Sequence, residues 1–247
     1  MTKERLKLNC DMGESFGSWK MGLDEEVMPW VDMANIACGF HASDPNVMST
    51  TLKLAKQYRV SVGAHPGYPD LNGFGRRSMP MSQDEIVHNV VYQVGAIQSL
   101  ANLNSVKVEY IKPHGALYND MMKSEEVFVG ILAAAENFSL PVMILAGTDN
   151  SRYLDLADQF NVPLLFEAFA DRAYLDNGLL VPRSHPDAVY HKEDDIYHQV
   201  MQLARYGSIT SINGSKIQIE ADTVCVHGDN PESVAMVQRI SQSLAAL

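Results

Sequence analysis

Short apolar runs recur along the chain at 6–9, 33–38, 60–63, 108–111, 142–145, 164–169 and 223–226. They are rich in Val, Ile and Leu and mostly lack alternation, as strands buried on both faces do. Between them lie segments with helical spacing and recognisable starts. Asp44-Pro45 supplies an N-cap and a proline at the first helical position, ahead of Val47, Met48, Leu52 and Ala55. Ser82 and Glu85 form a capping box before Ile86, Val90, Val94 and Ile97. Further helices are predicted from Ser124, from Asn150, over 192–206 ending at Gly207, and from Asn230-Pro231. Strands alternating with helices imply parallel strands joined by right-handed crossovers.

About seven such units predict an α/β fold: a single β/α-barrel domain over 1–247. One segment breaks the rhythm. Residues 208–220 alternate around Asn213-Gly214 and predict a small β-hairpin insertion.

The strand reading gives polar residues a position. In barrel enzymes the reacting groups occupy the C-terminal ends of the strands. The first run leads into Asp11 and Glu14, the second into His41, the third into His65, and the fourth into Lys112 and His114. The sixth contains Glu167 and leads into Asp171 and Arg172; the last leads into His227, Asp229 and Asn230. A lone histidine after a strand is usually a hydrogen-bonded structural residue, and Asp44, Asp149 and Asp229 can each be only N-caps. Convergence of His41, His65, His114 and His227 on one rim with Asp11, Glu14 and Lys112 argues instead for a functional cluster. The other histidines, His88, His185, His191 and His198, read as surface or packing residues. The cluster suits either a metal that activates water or direct acid–base chemistry with charge stabilisation.

Composition narrows the classes. Hydrophobic residues make up 46% of the 247, enough for a sizeable core. A net charge of −11 argues against nucleic acid. No apolar run approaches a membrane span, and the charged N-terminus has no signal-peptide core, so a cytoplasmic location is expected. Cys10, Cys38 and Cys225 read as buried thiols. HExxH, CxxC, P-loop and G-x-S-x-G patterns are absent. Gly73-Phe74-Gly75 follows no strand, and the glycine-rich segment 69–77 reads as a mobile loop able to cover the rim.

Five segments carry a resemblance: Leu8-Asn-Cys-Asp-Met-Gly-Glu14, Ala34-Asn-Ile-Ala-Cys-Gly-Phe-His41, Val62-Gly-Ala-His-Pro-Gly-Tyr-Pro-Asp70, Ile111-Lys-Pro-His-Gly-Ala-Leu-Tyr118 and Val226-His-Gly-Asp229. In this order they resemble the LamB/YcsF family, whose characterised role is the A component of the bacterial ATP-dependent 5-oxoprolinase. The resemblance implies a barrel of the glycoside hydrolase/deacetylase type with fewer than eight strands. It implies cleavage of 5-oxo-L-proline to L-glutamate coupled to ATP, together with 5-oxoprolinase subunits B and C from separate chains. Phosphorylating the lactam oxygen would activate an otherwise inert amide. On this reading Asp11, Glu14, Lys112 and His114 are the catalytic candidates: a carboxylate as base, Lys112 against negative charge, His114 for proton transfer. His41, His65, Arg172 and His227 are the substrate-binding candidates, with Arg172 against the substrate carboxylate. Asp11, His41 and His65 are the candidate ligands should a divalent metal be used. Two other readings share the fold: a metal-dependent deacetylase or amidase acting alone, and a non-catalytic subunit that binds 5-oxoproline. A homo-oligomer is left open.

Overall fold

The computed structural model describes residues 5–228 and 230–247. Seven parallel strands close into a barrel: β1 (Lys7–Met12), β2 (Met33–Ala37), β3 (Ser61–His65), β4 (Val108–Ile111), β5 (Val142–Leu145), β6 (Leu164–Phe169) and β9 (Thr223–Cys225). Neighbours pair in chain order, and β9 closes the ring between β6 and β1. The helices are α1 (Asp24–Val27), α2 (Pro45–Tyr58), α3 (Gln83–Leu103), α4 (Gly115–Met121), α5 (Glu125–Phe138), α6 (Ser151–Gln159), α7 (Glu193–Tyr206) and α8 (Pro231–Ala245). The capping signals act as expected. Asp44 accepts from the Asn46 and Val47 amides, Ser82 and Glu85 complete the capping box, and Asn230 accepts from Ser233. The last of the predicted starts therefore holds at Asn230, while Asp229 lies outside the described residues.

The hairpin insertion is β7 (Ser208–Thr210) with β8 (Lys216–Gln218), antiparallel and outside the barrel. Its turn spans more than Asn213-Gly214. Ser211 N–H bonds the Ser215 carbonyl, Gly214 N–H bonds the Ser211 carbonyl, and only Gly214 takes a positive φ, at 84°. A helical-type turn closed by one left-handed residue needs glycine at that single place.

Alternation along the strands sorts two environments. Leu8, Cys10 and Met12 of β1, Ala34 and Ile36 of β2, and Val224 of β9 join the large core under the helices. The opposite parity points into the barrel. There Met33, Tyr110, Met143 and Leu165 form an apolar plug. Gly63 makes room for it, since a Cβ at this position would lie 2.1 Å from the Tyr110 ring. Above the plug the interior turns polar, and that change of chemistry creates the site. Two strands also run further than their apolar runs suggest. β1 continues through Asp11 and Met12, and β3 through His65, because inward polar residues find partners across the barrel mouth. Among the described residues no helix is long and apolar enough to cross a membrane. The three cysteines are free and buried, as read from their apolar surroundings.

Candidate active site

Lys112, immediately after β4, is the hub of the polar interior and is 2% exposed. Its ammonium lies 2.9 Å from Asp11 Oδ1, 2.7 Å from Glu167 Oε1 and 3.2 Å from Asn9 Oδ1. Three acceptors match its three N–H donors. Cys225 Sγ is a further neighbour at 3.4 Å. Asn35 donates to both Asn9 Oδ1 and Asp11 Oδ1 at 2.8 Å and accepts from the Tyr110 hydroxyl at 2.7 Å. Asn9 completes the layer by donating to Thr223. Its members come from β1 (Asn9, Asp11), β2 (Asn35), β4 and the residue after it (Tyr110, Lys112), β6 (Glu167) and β9 (Thr223, Cys225), so the network exists only when the barrel is closed.

The histidines stand on this layer. His65 Nε2 is 3.3 Å from Asp11 Oδ2 and 3.0 Å from His114 Nδ1. The remaining nitrogen of each ring meets a backbone carbonyl: His65 Nδ1 with Lys112 at 2.7 Å, and His114 Nε2 with Phe74 at 2.8 Å. His41 is fully buried and stacks on His114 with centroids 3.7 Å apart and planes 3° from parallel. Glu14 Oε1 lies 3.5 Å from His41 Nε2 and 3.6 Å from His114 Nδ1. Donor atoms of Glu14, His41, His65 and His114 all fall within 4.8 Å of one another. Of the ligand set read from the sequence, His41 and His65 are in this group; Asp11 sits beside it, held by Lys112.

Charge follows from these surroundings. Burial would raise the Asp11 carboxyl, but His65 and Lys112 outweigh it and hold it well below the usual range. Burial, then the neighbouring Asp11, pushes Glu14 up. Burial would lower Lys112, yet Asp11, Cys225 and Glu167 keep it firmly protonated. His41 and His114 are driven well below the ordinary imidazole value, first by burial and then by neighbouring imidazoles.

A cleft of ≈ 170 Å³ opens over this layer, lined among others by Asp11, His65, Lys112, His114, Phe169 and His227. His227 pairs with Asp171 at 3.0 Å. Arg172 reaches the cleft, but its Nε and Nη2 are committed to the carbonyls of Ala188 and Val181. Arg76 and Arg183, both exposed, line the same wall. The Arg183 charge adds to burial in lowering the Arg172 pKa. A larger depression, of ≈ 530 Å³, lies around Lys7, Lys56, Arg59 and Lys107 at the opposite end of the barrel, away from these groups.

The glycine-rich segment covers the rim, as its composition and position led us to expect. Asp70 accepts from Gly73 N–H and pairs with Arg77, while Gly75 packs where a Cβ would meet His41 at 2.8 Å and His114 at 2.9 Å. Phe74 lies edge-on to both rings. The segment roofs the histidine cluster. Sequence reasoning placed Asn9 and Glu167 at strand ends without giving them a role, and left out Asn35, Tyr110 and Cys225 as site members. Their signal was polarity at the inward parity of apolar runs. His88, His185, His191 and His198 are exposed, as their contexts predict.

The LamB/YcsF family model matches residues 6–247. The chain belongs to the LamB/YcsF family. It is 62% identical to the 5-oxoprolinase A subunit of Vibrio vulnificus over 247 residues, covering both chains completely. It is 50% identical to the third 5-oxoprolinase A subunit of Pseudomonas aeruginosa over 248 aligned residues, covering 100% of this chain and 99% of that one. The crystal structure of the lactam utilization protein from Thermus thermophilus superposes with a TM-score of 0.91 at 35% identity, covering 98% of each chain. The fold and the family are thus those that the five segments imply.

Proposed function

We propose that this chain is the A component of an ATP-dependent 5-oxoprolinase, acting in the cytoplasm with separate B and C subunits on 5-oxo-L-proline. The observation that carries the reading is the Asp11–Lys112–Glu167 layer beneath a histidine-lined cleft, in a chain 62% identical end to end to a 5-oxoprolinase A subunit.

A five-membered lactam is a resonance-stabilised amide and resists water. Transfer of the ATP γ-phosphoryl group to its oxygen gives an activated imidate. Water adds at that carbon, the ring C–N bond breaks with a proton delivered to nitrogen, and a second water releases phosphate from the resulting acyl phosphate. The products are L-glutamate, ADP and phosphate.

This chain's residues divide those tasks by their surroundings. Lys112 stays charged at the barrel mouth and stabilises negative charge developing on the former carbonyl oxygen. Glu14, whose pKa is raised by burial and by Asp11, is a better base for water than Asp11, whose low pKa makes it a fixed negative partner for Lys112. His114, kept neutral by burial, takes the proton onward, and its 3.0 Å contact with His65 extends the path. Arg76 and Arg183 are better placed than Arg172 to receive the substrate carboxylate, because Arg172 already holds two backbone carbonyls. His227, held by Asp171, borders the same cleft. His41 is buried under the roof and positions His114 by stacking.

The test is ATP-dependent formation of glutamate from 5-oxo-L-proline by this chain reconstituted with B and C. Glu14→Gln and Lys112→Met are expected to reduce turnover by about 100-fold or more. Wild-type turnover in both variants would remove these residues from the mechanism. No turnover by the reconstituted wild type would remove the function.

A further inference from the structure

Two histidine nitrogens face each other in an arrangement that neutral rings do not favour. His65 Nδ1 is 2.7 Å from the Lys112 carbonyl and His114 Nε2 is 2.8 Å from the Phe74 carbonyl. A carbonyl oxygen only accepts, so both of those nitrogens carry protons. In neutral rings the other two nitrogens, His65 Nε2 and His114 Nδ1, are then both lone pairs, and they lie 3.0 Å apart. Two facing lone pairs repel unless a cation lies between them. Ring nitrogens fixed by N–H donation to backbone carbonyls are also the usual second layer of a metal site.

The surroundings supply the rest of a ligand set. Glu14 Oε1 is 3.6 Å from His114 Nδ1 and 3.5 Å from His41 Nε2, and no hydrogen bond satisfies Glu14 Oε1 or either nitrogen of the fully buried His41. Donors bound at about 2.0–2.1 Å around a tetrahedral Zn²⁺ lie about 3.3 Å from one another. Three of the six separations, 3.0, 3.5 and 3.6 Å, bracket that value, and all six lie within 4.8 Å. The charge balance agrees: the Lys112 ammonium is paired with Asp11 and Glu167, while Glu14 faces the imidazoles of His41 and His114.

We propose that Glu14, His65 and His114, with His41 as the fourth donor, form a binding site for a divalent transition metal of the Zn²⁺ class at the mouth of the barrel. Three imidazoles and a carboxylate suit Zn²⁺ over Mg²⁺ or Ca²⁺, which prefer oxygen. The rings of His65 and His114 are 88° apart and their lone pairs converge. His41 is parallel to His114, so its lone pair runs alongside that of His114. It completes the set by rotating out of the stack towards Glu14. His41 should therefore contribute less to affinity than His65 or His114. The proposal does not depend on the substrate, but a bound metal would take the Glu14 and His114 lone pairs, so these two residues would then serve as ligands rather than as base and proton carrier.

The test uses the full chain, stripped with a chelator and dialysed. Co²⁺ is titrated in and the visible d–d bands are recorded, with Zn²⁺ affinity measured by competition against a chromophoric chelator. Stoichiometric Co²⁺ with the intense bands of a four- or five-coordinate site is expected. His65→Ala and His114→Ala should each weaken Zn²⁺ by about 100-fold, and His41→Ala by about 10-fold. Glu14 lies on a partly exposed loop, so Glu14→Gln is the variant least able to disturb folding, and it should shift the Co²⁺ bands. His185→Ala, on the surface, should change nothing. Absence of stoichiometric binding to the wild type would overturn the site in favour of a proton shared between His65 and His114. Binding unchanged in Glu14→Gln and His114→Ala would place the metal elsewhere and overturn it too.

Discussion

Replacing Lys112 by methionine keeps the apolar stem of the side chain and removes the charge. The loss is severe because both carboxylate partners stay behind. Asp11 Oδ1 and Glu167 Oε1 lie 2.9 and 2.7 Å from the ammonium, and Glu167 is fully buried. Removing one member of a buried pair costs about 3–5 kcal/mol, and two stranded carboxylates put this case at the upper end. For a chain of this size that is a fall of about 6–20 °C in Tm. The assay is urea denaturation followed by circular dichroism, for Lys112→Met, Glu167→Gln and the double variant. The double variant should be more stable than Lys112→Met alone, because it no longer buries the second unpaired charge. A coupling of about 1–3 kcal/mol is expected. The pH dependence has a defined sign. Asp11 has a depressed folded pKa, so its contribution is complete above its unfolded value of about 3.9 and is lost as pH falls through the lower folded value. In Lys112→Met, protonation of Asp11 in acid relieves the repulsion. The gap between wild type and variant should therefore be widest near neutrality and close in acid. A cost under about 1 kcal/mol, strict additivity in the double variant, or a gap independent of pH would each refute the argument.

Three further outcomes follow from local geometry. Gly63→Ala drives a methyl into the Tyr110 ring, so a loss of about 1–3 kcal/mol in denaturation is expected, with weaker turnover as the Tyr110–Asn35 bond shifts. Gly75→Ala adds a Cβ to a residue at φ 62° and against His41 and His114, so steady-state kinetics should show reduced kcat/KM as the roof lifts. Ser82→Ala breaks a capping box distant from the cleft and should cost about 1 kcal/mol of stability with turnover unchanged.

Much of this molecule was legible in its sequence where the controlling interactions are local. Asp44, Ser82, Ser124 and Asn230 start helices because a side-chain oxygen within three residues satisfies free backbone amides, and that needs no tertiary context. Val-, Ile- and Leu-rich runs are strands because they are buried on both sides, which is written in their composition. Position after a strand singled out His41, His65, His114 and His227, and the barrel gathers the first three around Glu14 and brings His227 to the same cleft. The short α4 went unread because it begins at a glycine directly after His114, without a side-chain cap.

What closure of the barrel decided is the identity of each residue's partner. Asn9, Asn35, Glu167 and Cys225 sit inside strand runs as single polar or thiol positions. Only a ring of seven strands turns them all to one interior, where Lys112 meets residues 101, 103 and 113 positions away. Arg172 shows the converse. Its sequence context offered a substrate ligand; the fold brings it to the cleft but also holds its Nε and Nη2 on the Ala188 and Val181 carbonyls. Segment 69–77 has the composition of a loop, and only the fold shows what it covers: the Phe74 carbonyl meets His114, and Gly75 packs against His41 and His114 across the rim. Local sequence therefore determined the elements and the end of the barrel at which chemistry collects. Hydrogen bonds and charge pairs between residues far apart in the chain form only on closure, and they decided which of those groups are charged, which are neutral and which face the cleft.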